Sequence, residues 1–491
     1  MQNTQNTNDL MHAALAGNAE DPELEAVLRN KAAEWGREIC KSIDGTNSRA
    51  AAASIDLSQE LRDAEAGDGL AAFVVGYSYS HGTNGVNKDK TKGYNWYLRG
   101  SKMQNNALCL FGLSVCYMYG IAVEKNEAVA KEYMVKAFPG IETQANKNEK
   151  YSQFVLGQYY ENGGGNITQD YKKAIIWYEK AAEQGHAAAQ RCLGHIYFWG
   201  KGGVPSDGNK AVDWYIKAAS QGDASAQANL GMAYADGIGR LPRDDGKAVE
   251  WFTKAADQGD ATAQFNLGFH YYYGLGVSPN HEKAVEWYTK AANQGDADAQ
   301  INLGNCYVRG HGVTQNSYKA VEWYTKAANQ GDATAQITLA NHYFRGDGVP
   351  QNNEIAVEWL TKAANQGSFE KAVDAQSRLG SMYYFGNYVL QNYEKAVEWF
   401  TMAANQGDVT AQYYLGSCCY YGKGMPKNYE KAVEWYTKAA NQGDTAAQVS
   451  LGYCYYEGNG VPQNRNKAME LWKKLADQGD KAAQTALREA R

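Results

Sequence analysis

"KAVEWYTKAANQGDA" runs from Lys283 to Ala297, returns letter for letter at Lys319 to Ala333, and returns again as "KAVEWYTKAANQGDT" from Lys431. Its tryptophan serves as a ruler for the whole chain. The same position is filled by Trp177, Trp214, Trp251, Trp287, Trp323, Trp359, Trp399 and Trp435, with Trp96 ahead of them, while Tyr133 and Leu471 stand in at two further copies. Most steps are 36 or 37 residues, a period that marks one supersecondary unit stacked on the next. The two longer steps, Tyr133 to Trp177 and Trp359 to Trp399, call for a longer turn or a longer helix.

One unit reads "GDADAQINLGNCYVRGHGVTQNSYKAVEWYTKAANQ", Gly295 to Gln330. Asp296 is placed to cap a first helix, because a short carboxylate accepts from the free N–H groups of the first turn. Ala299, Leu303 and Tyr307 follow at i, i+4 and i+8, a helical apolar stripe. Gly304 leaves room for a partner helix, and Gly310 and Gly312 stop the first helix and turn the chain. Asn316 caps the second helix, as do Asn280, Asn352, Asn392, Asn428 and Asn464 in sister units. That helix is expected to bury Ala320, Trp323, Tyr324 and Ala327. Neither helix can bury its stripe alone, so the hairpins must stack.

The expected fold is therefore all-α, a solenoid of about eleven antiparallel helix-pair repeats of 36–44 residues. Residues 1–19 read as a disordered polar tail and 20–66 as an N-terminal helical cap. The repeats fill 67–478, and 479–491 form a C-terminal capping helix.

The formal net charge of -6 over 491 residues argues against a basic nucleic-acid footprint. No apolar run reaches the roughly 18 residues of a membrane span, and the first residues lack the basic start and apolar core of a secretory signal. Cys116, Cys306, Cys418 and Cys454 share one repeat position. Equivalent helices lie about 8–10 Å apart or more, too far for disulfides, whose Cα atoms lie within about 7 Å. They read as reduced thiols packed as small hydrophobes, which points to a cytoplasmic compartment. No C-x-x-C or His at ligand spacing suggests a metal, and no cofactor motif is present.

The pattern "A-x-x-x-L-G-x-x-Y-x-x-G-x-G-V-x-x-N-x-x-K-A-x-x-W-Y-x-K-A-A-x-Q-G", as in Ala297 through Gly331, resembles the Sel-1-like repeat family, a relative of tetratricopeptide repeats. It covers about five-sixths of the chain. Ala340 and Ser114 depart from it by replacing the glycine after leucine, and the first two repeats are degraded. The resemblance implies a right-handed superhelix and, in function, a non-catalytic adaptor that holds a protein or peptide, in bacteria often in signalling, envelope or host-interaction roles. It also implies that the face at positions 298, 301, 305, 308 and 309 lines a concave groove. The partner-binding residues expected there are His195, Trp199, Phe269, Tyr273, Asn305, Arg309, Asn341, Arg345, Phe385, Tyr421 and Tyr453. Arg191 belongs to the same stripe. Aromatic rings bury area at low entropy cost, and an arginine can grip a carboxylate through two parallel bonds.

Catalysis needs one special environment, whereas repetition places the same residues in many equivalent ones. G-x-S-x-G, H-E-x-x-H and G-x-x-x-x-G-K-[ST] are all missing. "SFEK", Ser368 to Lys371, matches S-x-x-K without its companion motifs. Glu286 reads as an i+4 helix-surface partner of Lys290. The competing readings are a solenoid that self-associates into homo-oligomers, an effector exported to a host, and a hydrolase with one site outside the repeats.

Overall fold

The computed structural model describes residues 57–81, 86, 89–104, 106–164, 166–367 and 370–490. The expected tail and most of the N-terminal cap lie outside these residues, as does Ser368 of the S-x-x-K motif. Among the described residues there are 24 α-helices and no strand. They fall into two compact units, one ending at Ala291 and one beginning at Ala292. Within each unit, a repeat's first helix packs on its own second helix, and that second helix packs on the first helix of the next repeat.

Repeat seven shows how the sequence builds this. Its first helix is Ala297–Arg309, capped by the Asp296 carboxylate, which accepts from the Ala299 N–H at 2.7 Å. Gly310 ends it in the left-handed region, at φ 70°. The second helix is Ser317–Asn329, capped by Asn316 on the Lys319 N–H at 3.0 Å. Each such cap is worth about 1 kcal/mol. Repeats three to five use Asp170, Asp207 and Asp244 for the second cap. Both long steps are absorbed by helix extension: Glu127–Asn146 in repeat two and Glu370–Phe385 in repeat nine. Lys481–Glu489 follows the eleventh repeat, and Leu57–Glu65 precedes the first.

The core differs from expectation at two positions, one on each helix. Tyr288 and Tyr324, not the neighbouring tryptophans, are the innermost residues, 1% and 2% exposed. The stripe Ala320, Tyr324, Ala327 and Ala328 points inward at i, i+4, i+7 and i+8. Trp323 stands one residue to the side and is half-buried. Its outer face is covered by Lys326, whose ammonium sits 3.6 Å from the ring centroid. The same lysine-on-tryptophan contact recurs at Trp177, Trp214, Trp251, Trp287, Trp359 and Trp435, at 3.7 to 4.0 Å. The lysines remain exposed, so the contact adds a modest cation–π attraction to cover of the ring by the lysine stem. Lys290 also pairs with Glu286 at 2.9 Å, as expected. Tyr307, too, is half-buried at the edge rather than in the core, with Lys319 over its ring. Trp472 is the exception that explains the rule. It occupies the tyrosine position of repeat eleven, is 1% exposed, and donates its indole N–H to the Val449 carbonyl at 3.1 Å.

Two glutamines of the repeat carry a role that periodicity does not reveal. Gln336, 4% exposed on the first helix of repeat eight, donates to the Ala328 carbonyl of repeat seven at 3.0 Å. Its own carbonyl accepts from Gln366 at 2.8 Å. The pair recurs as Gln184–Gln153, Gln221–Gln190 and Gln258–Gln227 in the first unit. In the second it recurs as Gln330–Gln300, Gln406–Gln376 and Gln442–Gln412. A ladder of amides thus fastens neighbouring repeats, and the buried first-helix glutamines use both their amide donor and their carbonyl in it. The seven described cysteines are buried free thiols. Burial pushes Cys418 and Cys454 up to about 12, so they pack rather than react.

Candidate partner-binding face

With caps, turns and core nearly constant, variation concentrates on the first helices. Two positions matter: the residue two after the core leucine, and the residue that closes the helix.

In the first unit, the structure commits several expected contacts to packing. His195 is half-buried, with Nε2 3.0 Å from the Asn229 amide of the next repeat and its ring edge-on to Tyr215. Burial pushes its pKa down to about 3, with Arg191 and Lys201 adding to the effect. Arg191 itself is buried and paired with Asp223 at 3.2 Å, so it belongs to the interface between repeats four and five. Trp199 is half-buried and edge-on to Phe198 at 4.7 Å. Phe269 is half-buried under Tyr273, which is 56% exposed and is the most open aromatic of this unit's expected set.

In the second unit, Asn305 and Asn341 are not equivalent. The Asn305 carbonyl accepts from the Tyr324 hydroxyl at 2.7 Å. Asn341 faces a repeat whose core position is Leu360, which has no hydroxyl to offer. Tyr453 is half-buried on Trp472, with its hydroxyl 3.3 Å from Glu489 of the terminal helix. The residues closing the first helices stay outside: Arg309, Arg345, Phe385 (50% exposed), Tyr421 (63%) and Glu457. Phe385 rests edge-on against Tyr384 and Tyr414, and Tyr421 against Tyr420. Tyr384 is buried, as its place one residue inside the edge suggests.

Sequence reasoning passed over Tyr388, Leu390 and Lys423. Tyr388 is 54% exposed and Leu390 91% exposed, both in the turn of repeat nine. Lys423 donates to the Tyr384 hydroxyl at 3.1 Å and stands over the rings of Tyr384 and Tyr393. Tyr388 was visible as a break in the turn, "GNYVLQN" against "GHGVTQN" and "GDGVPQN". Among the described residues no group of three or more His, Cys, Asp or Glu is gathered as a metal site, and no helix is long and apolar enough to cross a membrane.

One cap in the first unit departs from the others and predicts a pH effect. His186 caps Ala187–Trp199, its Nδ1 accepting from the Ala189 N–H at 3.2 Å while the ring stacks on Phe154 at 4.5 Å. Burial, with Lys150 and Arg191 nearby, pushes its pKa down to about 3. An unfolded histidine titrates near 6.5, so below that value the unfolded chain takes up the proton first. The stability this neutral cap contributes is present above about 6.5 and is lost as pH falls toward 3. Between pH 7 and 5 the loss should be on the order of 1–2 kcal/mol. His195, pushed down to about 3 in the same way, contributes a similar loss, so urea unfolding at the two pH values should show His186→Asp removing about half of the dependence.

A family model described as Sel1 repeat matches eleven segments: 69–105, 107–138, 150–186, 187–223, 224–260, 261–296, 297–332, 333–368, 373–408, 409–444 and 445–480. A protective antigen present in uropathogenic Escherichia coli strains, described as displaying an SLR fold, is 34% identical. That match covers 89% of this chain and 90% of the antigen, with a TM-score of 0.53. A Sel1 repeat protein from Oxalobacter formigenes is 33% identical, covering 65% of this chain and 91% of its own, with a TM-score of 0.49. The chitin synthase regulator SKT5 of Saccharomyces cerevisiae is 28% identical over 124 residues, which is 25% of this chain but 16% of that relative.

Proposed function

This chain belongs to the Sel1 repeat family, and from that premise we propose that it is a non-catalytic adaptor which holds a protein or peptide partner on the first-helix face. Repeat proteins of this kind mediate protein–protein interaction in general. The observation that carries the finer reading is a contrast. Caps and glutamine pairs are held nearly constant and the core position always carries a large buried side chain (Tyr324, Leu360, Phe400, Tyr436), while the exposed residues closing the first helices change from Arg309 and Arg345 to Phe385 and Tyr421. A surface that varies on a fixed frame is where specificity resides. Tyr273 extends the reading to the first unit. The seven described cysteines, buried and in no disulfide, support a reducing, cytoplasmic compartment.

A peptide array probed with the full chain tests this, alongside the variant in which Asn305, Arg309, Asn341 and Arg345 are all alanine. The wild type should retain discrete peptides, and the variant should lose them by about tenfold or more, given 1.4 kcal/mol per decade. Retained helicity in the variant shows that the loss is not unfolding. Equal binding by both proteins, or no peptide bound by the wild type, overturns the reading.

A further inference from the structure

The turn of repeat nine holds a tyrosine where its neighbours hold glycine. Gly348 and Gly424, the equivalents on either side, have φ of 74° and 71°. A Cβ at Gly348 would collide with the backbone carbonyl of Ser317, and one at Gly424 with that of Tyr393. Tyr388 sits at φ 67° all the same, a conformation that costs a non-glycine residue roughly 1–2 kcal/mol. Burial does not offset that cost, because the ring is 54% exposed and touches Phe344 on one side, centroids 4.6 Å apart. Leu390, two residues on, stands 91% exposed where repeats eight and eleven carry Pro350 and Pro462. Backbone strain kept in order to present an apolar ring points to a contact outside the chain.

Charge gathers at the same edge. From the residue two after the core leucine to the second cap, repeats seven to ten carry four full cations, Arg309, Arg345, Lys423 and Lys427. They carry one carboxylate there, Asp347, which lies 3.5 Å from His342, in a chain of net charge -6. Arg345 is exposed and forms no ion pair among the described residues. The order along the unit is thus Arg309, Arg345, then Phe385 with Tyr388 and Leu390, then Tyr421 beside Lys423.

We propose that this edge recognises an extended peptide segment bearing acidic residues at one end and large apolar residues at the other. The acidic side chains lie over repeats seven and eight, and the apolar ones over repeats nine and ten. Repeats advance by about 10 Å and a polyproline II segment by about 3.1 Å per residue with three residues per turn, so side chains on one face of such a segment recur every third residue. The proposal rests on the adaptor reading and adds the chemistry of the partner. Lys423 and Lys427 are held over the rings of Tyr384 and Tyr429, whereas Arg345 is exposed without an ion pair among the described residues, so charge complementarity sets the acidic end over repeats seven and eight.

The test is fluorescence anisotropy with the full chain and a labelled peptide of about a dozen residues, glutamates first and phenylalanines after, at three-residue spacing. The reversed order and a scrambled sequence of the same composition are measured beside it. One of the two ordered peptides should bind at least tenfold more tightly than the scramble, and added salt should weaken it. Arg345→Ala should cost it about tenfold. Tyr388→Gly should weaken it several-fold while leaving the thermal midpoint unchanged or higher, because strain is relieved. A loss of stability in Tyr388→Gly with binding intact would show that the ring is structural and overturn the proposal. So would equal binding of the scramble, tighter binding to phosphatidylserine vesicles, or a Tyr388-dependent dimer in light scattering. If the array above yields peptides of other composition that still need Asn341 and Arg345, this inference fails and the adaptor reading stands. If it yields none, the adaptor reading fails with it.

Discussion

Gly304→Ala should destabilise the protein by about 2 kcal/mol, against the usual gain of about 0.5–1 kcal/mol for that change inside a helix. A Cβ at Gly304 would lie 2.6 Å from the Tyr324 ring and 2.9 Å from two further ring atoms. The ring has nowhere to go: it is 2% exposed, and its hydroxyl is tied to Asn305. Repeat eight supplies the natural control, with Ala340 in the glycine position and the narrower Leu360 opposite, both buried. Combining Gly304→Ala with Tyr324→Leu should therefore cost less than the sum of the two single changes, by about 1 kcal/mol or more. Urea unfolding of the full chain measures all four proteins. A neutral or stabilising Gly304→Ala, or strict additivity, would refute the packing argument.

Asp223→Ala should cost more, about 4 kcal/mol. The carboxylate caps the first helix of repeat five through the Ala226 N–H at 2.8 Å and faces Arg191 across the repeat boundary. The two side chains are 5% and 12% exposed. Removing one partner strands the other as a buried charge, whereas replacing the whole pair by apolar residues of similar volume is often neutral. Arg191→Met should accordingly cost stability on its own, because it leaves the Asp223 carboxylate buried without its counter-charge, and adding Asp223→Ala in that background should cost no more than the cap, about 1 kcal/mol. Asp332→Ala gives the cap value directly, since Asp332 caps Ala335 and the residue matching Arg191 in the preceding repeat is Ile301. If Asp223→Ala and Asp332→Ala cost the same, the ion pair contributes nothing.

Caps and turns were legible because their chemistry is local. Asp296, Asn316 and Gly310 act within a turn of themselves, so their types and spacing suffice. The long-range assignments were legible only in outline. Periodicity shows that Trp323 and Tyr324 share an inward quadrant but not which of them is innermost; the close approach at Gly304 decides that in favour of the flatter, narrower phenol. Gln336 and Arg191 look like solvent-facing residues, since a polar side chain on a helix ordinarily reaches water. Their burial depends on partners about 30 residues away, Gln366 and Asp223. On the binding face, Asn305 and Asn341 read alike because their difference lies in Tyr324 against Leu360, on another helix.

The amide ladder has one more consequence. Each of repeats three to five and seven to ten carries its own donor and its own acceptor, as Gln442 and Gln412 do in repeat ten. Excising residues 409–444 would bring Gln448 to the Ala404 carbonyl that Gln412 now meets at 3.2 Å, leaving no amide stranded at the new junction. Gene-level loss or duplication of a whole unit is then structurally silent at the seam, while loss of any other length is not. A lineage can thus lengthen or shorten its recognition surface one rung at a time, and two chains of this kind can differ in reach without differing in how they are joined.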